Sequence, residues 1–328
     1  MKVGAFAVWF RERPFEEALD LLVSVGIQAV EVGTGGYMGN EHAKPGEILA
    51  DAAKFQAFRH AVDSRGLIVS ALSCSGNPLH PRAEIAQQHR RDFRDSVLLA
   101  ERLGVAAVGA FAGCPGDWEG AQHPNWITST FPGENAEILE WQWKEKVIPY
   151  WREEAAFCQQ HGVKIAIELH PGFVAFNPAS VLRLREAVGE TIGVNFDPSH
   201  LWWQQIDPIE AVRELGSAIF HVHAKDIVID QTNTRRNGVL DLPLTDRILD
   251  RPWVFRTVGY GHDAQFWRAL ISQLRLVGYD HVLSIELEDP LISKREGLGK
   301  AARLLNEAIV VEPVDTPWWG PARQNSSR

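Results

Sequence analysis

GVNFDPSHLWWQ, residues Gly193–Gln204, is the stretch on which the fold turns. Its first half belongs to a short apolar run, Ile192–Phe196, which reads as a parallel strand buried on both faces. Its second half spills into a loop carrying Asp197 and His200. Three other runs repeat the plan: IAIELHPG (Ile165–Gly172), IFHVHAKD (Ile219–Asp226) and VLSIELED (Val282–Asp289). Each is a short apolar strand with a carboxylate or imidazole at its C-terminal end. Four such strands side by side bring Glu168, Asp197, His223 and Glu286 to one rim. Hard oxygens with one imidazole suit a single divalent metal ion, Mn²⁺ first, with Mg²⁺ or Co²⁺ as alternatives. No cysteine joins the set, which argues against a structural zinc site.

Working outward, the chain alternates. Strands are expected at Val3–Val8, Ala29–Val32, Ile68–Leu72, Ala106–Phe111, Lys164–Leu169, Ile192–Phe196, Ala218–Val222 and Val282–Ile285. Helices are expected at Pro14–Gly26, Ala50–Gly66, Glu84–Gly104, Glu137–Gly162, Pro178–Val188, Pro208–Leu215, Ala264–Val277 and Glu296–Val310. The Gly that ends several of them is a helix stop signal. Eight strand–helix pairs with no break in composition predict an α/β fold, a (β/α)8 TIM barrel. An open doubly wound sheet would more usually carry a Gly-rich turn after the first strand, where this chain has WFRERPF. Long capping loops follow strand four (Ala112–Asn135) and strand seven (Ile227–Gly261), on the face where barrel sites are built. One barrel is expected over residues 1–311, with a Pro/Trp/Ser-rich tail over 312–328 that wraps the outside or frays.

The totals exclude several classes. The 328 residues are 45% hydrophobic and 23% charged, a folded chain rather than a disordered one. A net charge of −9 and the lack of a long Lys/Arg run argue against nucleic acid or an anionic membrane surface as partner. No apolar run approaches the roughly 20 residues of a membrane span, and the N-terminus reads as a first strand rather than a signal peptide. Three widely spaced cysteines, Cys74, Cys114 and Cys158, point to reduced thiols and a cytoplasmic address. Tryptophans in loops or just after strands (Trp118, Trp126, Trp202, Trp203, Trp253) either line a sugar pocket or simply pack.

Further polar residues cluster around the four strand ends. His170 lies two positions beyond Glu168, hence on the same side if the chain stays extended, and is a candidate acid or base. His200 sits at the loop mouth. His221 shares a face with His223 one layer deeper and reads as a buried core histidine. Lys225 and Asp226 follow; Asp226 either orients a ligand or starts the next loop. Arg256, late in the second insertion, can reach back over the site, and Glu31, at the end of strand two, can bind a substrate hydroxyl. Cys114 has no base beside it, so a nucleophilic role is not expected.

IELHPG, GVNFDPSH, HVHAKD and SIELED, with RTVGYGHD before helix seven, resemble the xylose isomerase-like TIM barrel superfamily. They are most similar to its sugar phosphate isomerase/epimerase branch, which includes ketose 3-epimerases and inosose dehydratases. The likeness runs from Val3 to about Val310. It implies one divalent metal on Glu168, Asp197, His223 and Glu286. It also implies proton transfer by Glu168 and Glu286, and substrate contacts at His200 and Arg256. The chemistry is coherent in its own right: an ion bound to a carbonyl and the adjacent hydroxyl acidifies the C–H between them and stabilises the enediolate. A carboxylate on each face of that carbon permits epimerisation. The expected function is therefore a metal-dependent sugar isomerase or epimerase acting on a ketose or oxidised sugar.

The same enediolate can expel a β-substituent, and the long Trp-rich insertions suit a larger substrate. That makes a lyase or deglycosidase on 3-oxo-glycosides, or an inosose dehydratase, the alternative. The expected partner is a small-molecule sugar or sugar derivative. The resemblance also implies a homo-oligomer, or a small partner subunit if the deglycosidase reading holds. An abasic-site endonuclease would need three zincs, more histidines and a basic face. A non-catalytic sugar-binding barrel would keep its affinity when Glu168 or Glu286 became Gln.

Overall fold

Eight apolar runs pair in parallel around a closed ring in the computed structural model, which describes residues 1–242 and 247–313. The strands in chain order are β1 (Lys2–Phe6), β2 (Ala29–Gly33), β3 (Ile68–Ser73), β4 (Ala107–Phe111), β5 (Lys164–Glu168), β6 (Ile192–Phe196), β7 (Ile219–Ala224), β8 (Asp226–Ile229), β9 (Trp253–Arg256) and β10 (Val282–Ile285). The barrel runs β1 to β7 in order and closes through β10 back onto β1. The strands read as unbroken apolar runs because both faces are covered: β2, β4 and β6 are buried at every residue. Gly193 in β6 leaves room for a neighbour, since a Cβ there would run into the Phe220 ring and the Ala218 carbonyl.

The helices follow their local signals. Asn177 and Ser180 form a capping box at the start of Pro178–Val188, and Asp207, Asp263 and Ser293 cap three later helices. Trp151, fully buried on its helix, donates its indole N–H to the Ala112 carbonyl just beyond β4 (2.9 Å).

Four expectations are corrected. The first strand stops at Phe6 and continues as a 3₁₀ turn, Ala7–Phe10. The second helix, expected over Ala50–Gly66, is Ala52–Asp63, because Asp51 takes an extended conformation and caps it through the N–H groups of Ala53 and Lys54, and a short helix that was not expected, Pro45–Ala50, precedes it. The fourth helix starts at Glu134 and widens into a π-helical stretch, Gln142–Val147; the ring of Pro149 would collide with the Glu145 carbonyl in a regular helix. The second insertion is structured: β8 and β9 form an antiparallel pair, Asp226↔Arg256 to Ile229↔Trp253. The expected C-terminal tail lies mostly outside the described residues. Among the described residues no helix is long and apolar enough to cross a membrane. All three cysteines are free and buried, and burial pushes the Cys114 thiol up to about 12, an inert environment.

The β8–β9 cap is tied down at one buried carboxylate. Asp226 Oδ2 accepts from the backbone N–H groups of Gly259 (3.0 Å), Gly261 (3.0 Å) and His262 (2.9 Å), while Oδ1 accepts from Ile227 N–H (2.8 Å). Gly261 must be glycine, since a Cβ would meet the Ile227 carbonyl and the same carboxylate. Of its two expected roles, Asp226 thus starts the loop. Asp226→Ala strands these buried donors, and a loss of about 3 kcal/mol is expected. A urea denaturation midpoint equal to the native one would contradict that.

Candidate metal centre

The strand ends converge in layers, because alternate residues of a strand face the same way. On β7, His221, His223 and Lys225 rise through the barrel in steps of two; on the β10 run, Ser284, Glu286 and Glu288 do the same. The middle layer holds Glu168, Asp197, His223 and Glu286, whose ligating atoms all lie within 4.8 Å of one another. His223 Nδ1 stands 3.3 Å from Glu286 Oε2, 3.8 Å from Glu168 Oε2 and 4.0 Å from Asp197 Oδ2. All four side chains are buried.

The donor set fits a divalent ion. His223 Nδ1, Asp197 Oδ2 and Glu286 Oε2 are buried and point at a common space; Nδ1 has no hydrogen-bond partner, and the two carboxylate oxygens are answered from one side only, by the Lys225 ammonium. Buried polar atoms are rarely left unsatisfied, and a bound cation would satisfy Nδ1 and share the two oxygens with Lys225.

The layer below fixes the imidazole. Glu31, fully buried, accepts from His223 Nε2 (3.0 Å), His221 Nε2 (3.1 Å), Ser284 Oγ (2.5 Å) and Ser73 Oγ. With Nε2–H held there, Nδ1 is the nitrogen presented to the centre. Glu31 was expected to meet a substrate hydroxyl. The structure instead places it beneath His223 with its oxygens occupied, because β2 continues two residues past Glu31 to Gly33 and leaves the carboxylate mid-strand, one layer below the rim. His221 is buried at its side, as its spacing suggests.

The layer above carries Lys225, Glu288 and His200. Lys225 is 1% exposed, and its Nζ lies 2.9 Å from Asp197 Oδ2, 2.8 Å from Glu286 Oε2 and 3.2 Å from Glu288 Oε1. His200 Nε2 is 3.3 Å from Glu168 Oε1 and 3.4 Å from Asp197 Oδ2. The His170 ring packs 4.2 Å from that of His200 and against Phe111 and Phe173. Arg256 Nε instead donates to Asp289 Oδ2 (3.1 Å) at the rim, with its guanidinium over the Tyr260 ring. Trp202, Trp203 and Trp253 pack within the cap, Trp203 stacking on Trp253 at 5.1 Å, while Trp118 is exposed.

Sequence reasoning names Lys225 without giving it a role and passes over Glu288, although the signal was present. Each lies two residues beyond a ligand on the same strand run, the spacing that picked out His170.

Electrostatics divide these groups. Burial raises the Glu168 carboxyl to about 7, with Glu286 and Asp197 adding to the rise. Burial also acts on Glu286, but Lys225 and His223 outweigh it and hold that carboxyl well below the usual range. Burial pulls Lys225 down, and Asp197, Glu286 and Glu288 more than reverse it, keeping the ammonium charged. Burial lowers His170 and His200 to about 4, leaving both neutral at pH 7. A metal held by this set would compete with a proton for Glu168. Its affinity is therefore expected to fall as pH drops below about 7, by about tenfold per unit for one displaced proton. A Mn²⁺ titration on both sides of neutrality checks this; a flat profile would count against Glu168 as a ligand.

A closed parallel barrel with an acidic, single-imidazole cluster of candidate metal ligands at the C-terminal ends of its strands defines a class of barrels. Within that class, the chain belongs to the xylose isomerase-like TIM barrel family, whose sequence profile matches residues 19–308. It is 38% identical over 300 residues to the protein YfiH of Bacillus subtilis (strain 168), covering 90% of this chain and 95% of that one. It is 26% identical over 105 residues to an inosose dehydratase of Geobacillus kaustophilus (strain HTA426), covering 32% of this chain and 34% of that one. Among solved structures, the probable 3-DHS dehydratase AsbF of Bacillus anthracis superposes with a TM-score of 0.66 at 17% identity, covering 93% of this chain and 99% of that one. A D-tagatose 3-epimerase-like protein gives 0.63 at 20% identity, covering 94% and 97%. These two likenesses speak to the fold alone.

Proposed function

We propose that this protein is a divalent-metal-dependent sugar isomerase or epimerase that moves a proton beside the carbonyl of a ketose or oxidised sugar. The observation that carries the reading is the convergence of Glu168 and Glu286 on His223 Nδ1, from β5 on one side of the centre and the β10 run on the other. Glu168, Asp197, His223 and Glu286 would hold the ion, with Mn²⁺ as the assignment that hard oxygens and one imidazole favour. Such an ion supplies Lewis acidity to a carbonyl and its neighbouring hydroxyl. Glu168, with its raised pKa, is suited to take and return a proton near neutrality, and Glu286 faces the same carbon from the other side. His200, neutral and one hydrogen-bond length from Glu168, orients a substrate hydroxyl, and His170 backs it as a second acid–base group. Glu31 is a positioning residue for His223, and Arg256 anchors the cap through Asp289. The partner is a small polyhydroxylated carbonyl compound.

A second reading, β-elimination from an inosose or a 3-oxo-glycoside, is favoured by one specific contact. Lys225 holds Glu286 ionised and leaves Glu168 as the single tunable base, which is the asymmetry an elimination uses. The curated relative named inosose dehydratase leans the same way. Metal-loaded protein is incubated in D₂O with ketoses, inososes and 3-oxo-glycosides and followed by NMR. Deuterium entry beside the carbonyl without cleavage supports the first reading; release of water or an aglycone supports the second. Neither result across the panel would overturn both.

A further inference from the structure

Four carboxylates, from Glu168, Asp197, Glu286 and Glu288, gather around the centre, three of them within 5% exposure. One divalent ion offsets two negative charges, and the remaining buried charge needs another cation. The chain supplies it. Asp197 Oδ2 and Glu286 Oε2 each face two ways: towards His223 Nδ1 (4.0 and 3.3 Å) and towards Lys225 Nζ (2.9 and 2.8 Å). Carboxylates that face two cation positions in this manner are the bridging ligands of paired-metal sites, whose ions stand about 3.5–4 Å apart. Around the second position the donors are complete: the two shared oxygens, Glu288 Oε1 at 3.2 Å and His200 Nε2 at 3.4 Å. The Phe255 ring closes it, 4.5 Å from Nζ. An aromatic face suits an ammonium and offers nothing to a hard metal ion.

We propose that Lys225 is the second cation of this centre: its ammonium fills a subsite made by Asp197, Glu286, Glu288 and His200 and so limits the protein to one divalent metal ion. The inference rests on the metal reading of the first position. Because the ammonium is tethered to β7, no concentration of free metal displaces it readily, and the centre stays mononuclear despite carrying ligands enough for two ions.

The test counts Mn²⁺ per chain by equilibrium dialysis and elemental analysis on the full chain, without substrate. The native protein is expected to hold one ion. Lys225→Ala is expected to hold two, with the electron paramagnetic resonance of a spin-coupled pair. Lys225→Ala combined with Glu288→Gln is expected to return to one. One ion in the native protein and still one in a folded Lys225→Ala overturns this inference and leaves the metal reading intact. No ion in the native protein overturns the metal reading, and this inference with it. If Lys225→Ala does not fold metal-free, Mn²⁺ is expected to restore its circular dichroism with two ions bound. Failure to fold in excess Mn²⁺ would mean that a metal ion cannot take the place of the ammonium, which also overturns the proposal.

Discussion

Asp197→Ala is expected to lose the bound metal and all measurable turnover while keeping the native fold. Asp197 is fully buried; its Oδ1 accepts the Ser199 N–H (2.8 Å), and its Oδ2 faces both the centre and the Lys225 ammonium (2.9 Å). The fold loses one hydrogen bond and one of the three carboxylates that answer Lys225, about 3–5 kcal/mol, against a total stability of about 5–15 kcal/mol. The centre loses a ligand outright. The metal affinity should therefore fall by more than the roughly 10–100-fold that a supporting partner of a ligand costs. Glu286→Gln keeps the shape, removes the charge that both His223 and Lys225 answer, and is expected to abolish turnover as well. Circular-dichroism melts, metal analysis and rate measurements on each variant decide the matter. Near-normal activity in either folded variant would sink the site assignment.

Glu31→Gln is expected to do two kinds of damage at once. Burial raises the Glu31 carboxyl, but His223 and His221 outweigh it and hold it ionised, well below the usual range. An amide of the same shape brings N–H donors to a pocket already filled by the donors of Ser73, Ser284, His221 and His223. Breaking a buried charge cluster in this way costs about 3–5 kcal/mol. It also frees the His223 ring to rotate or change tautomer, for a further loss of about 10–100-fold in metal affinity. Chemical denaturation reads the first effect and Mn²⁺ titration the second. Native values of both would show that Glu31 does not hold His223.

The barrel was legible because a parallel strand buried on both faces leaves a continuous apolar run, and Ile192–Phe196 is placed by that rule to the residue. Two helices that open on Pro and stop before Gly were equally plain, Pro178–Val188 and Pro208–Leu215. The β8–β9 pair was not. Its strands are four residues long and separated by more than twenty, so pairing, not pattern, creates them. The start of the second helix was misplaced for a related reason: Asp51 reads as a tolerable helix residue until its own side chain caps the turn that follows.

By itself the sequence determined which residues end the strands, and with them the chemistry offered at the rim: Glu168, Asp197, His223 and Glu286. It could do so because strand ends are local, set by where an apolar run meets a polar residue. Only the tertiary structure decided depth. Glu31 and His223 are separated by 192 positions in the chain, yet barrel closure puts the carboxylate under the imidazole rather than beside a substrate. Closure likewise carries Glu288, which no pattern singled out, and His200, expected only as a substrate contact, to the Lys225 ammonium. The stagger of strands around a closed ring sets those heights, and it is a property of the pairing of all eight strands, which no single stretch of sequence contains.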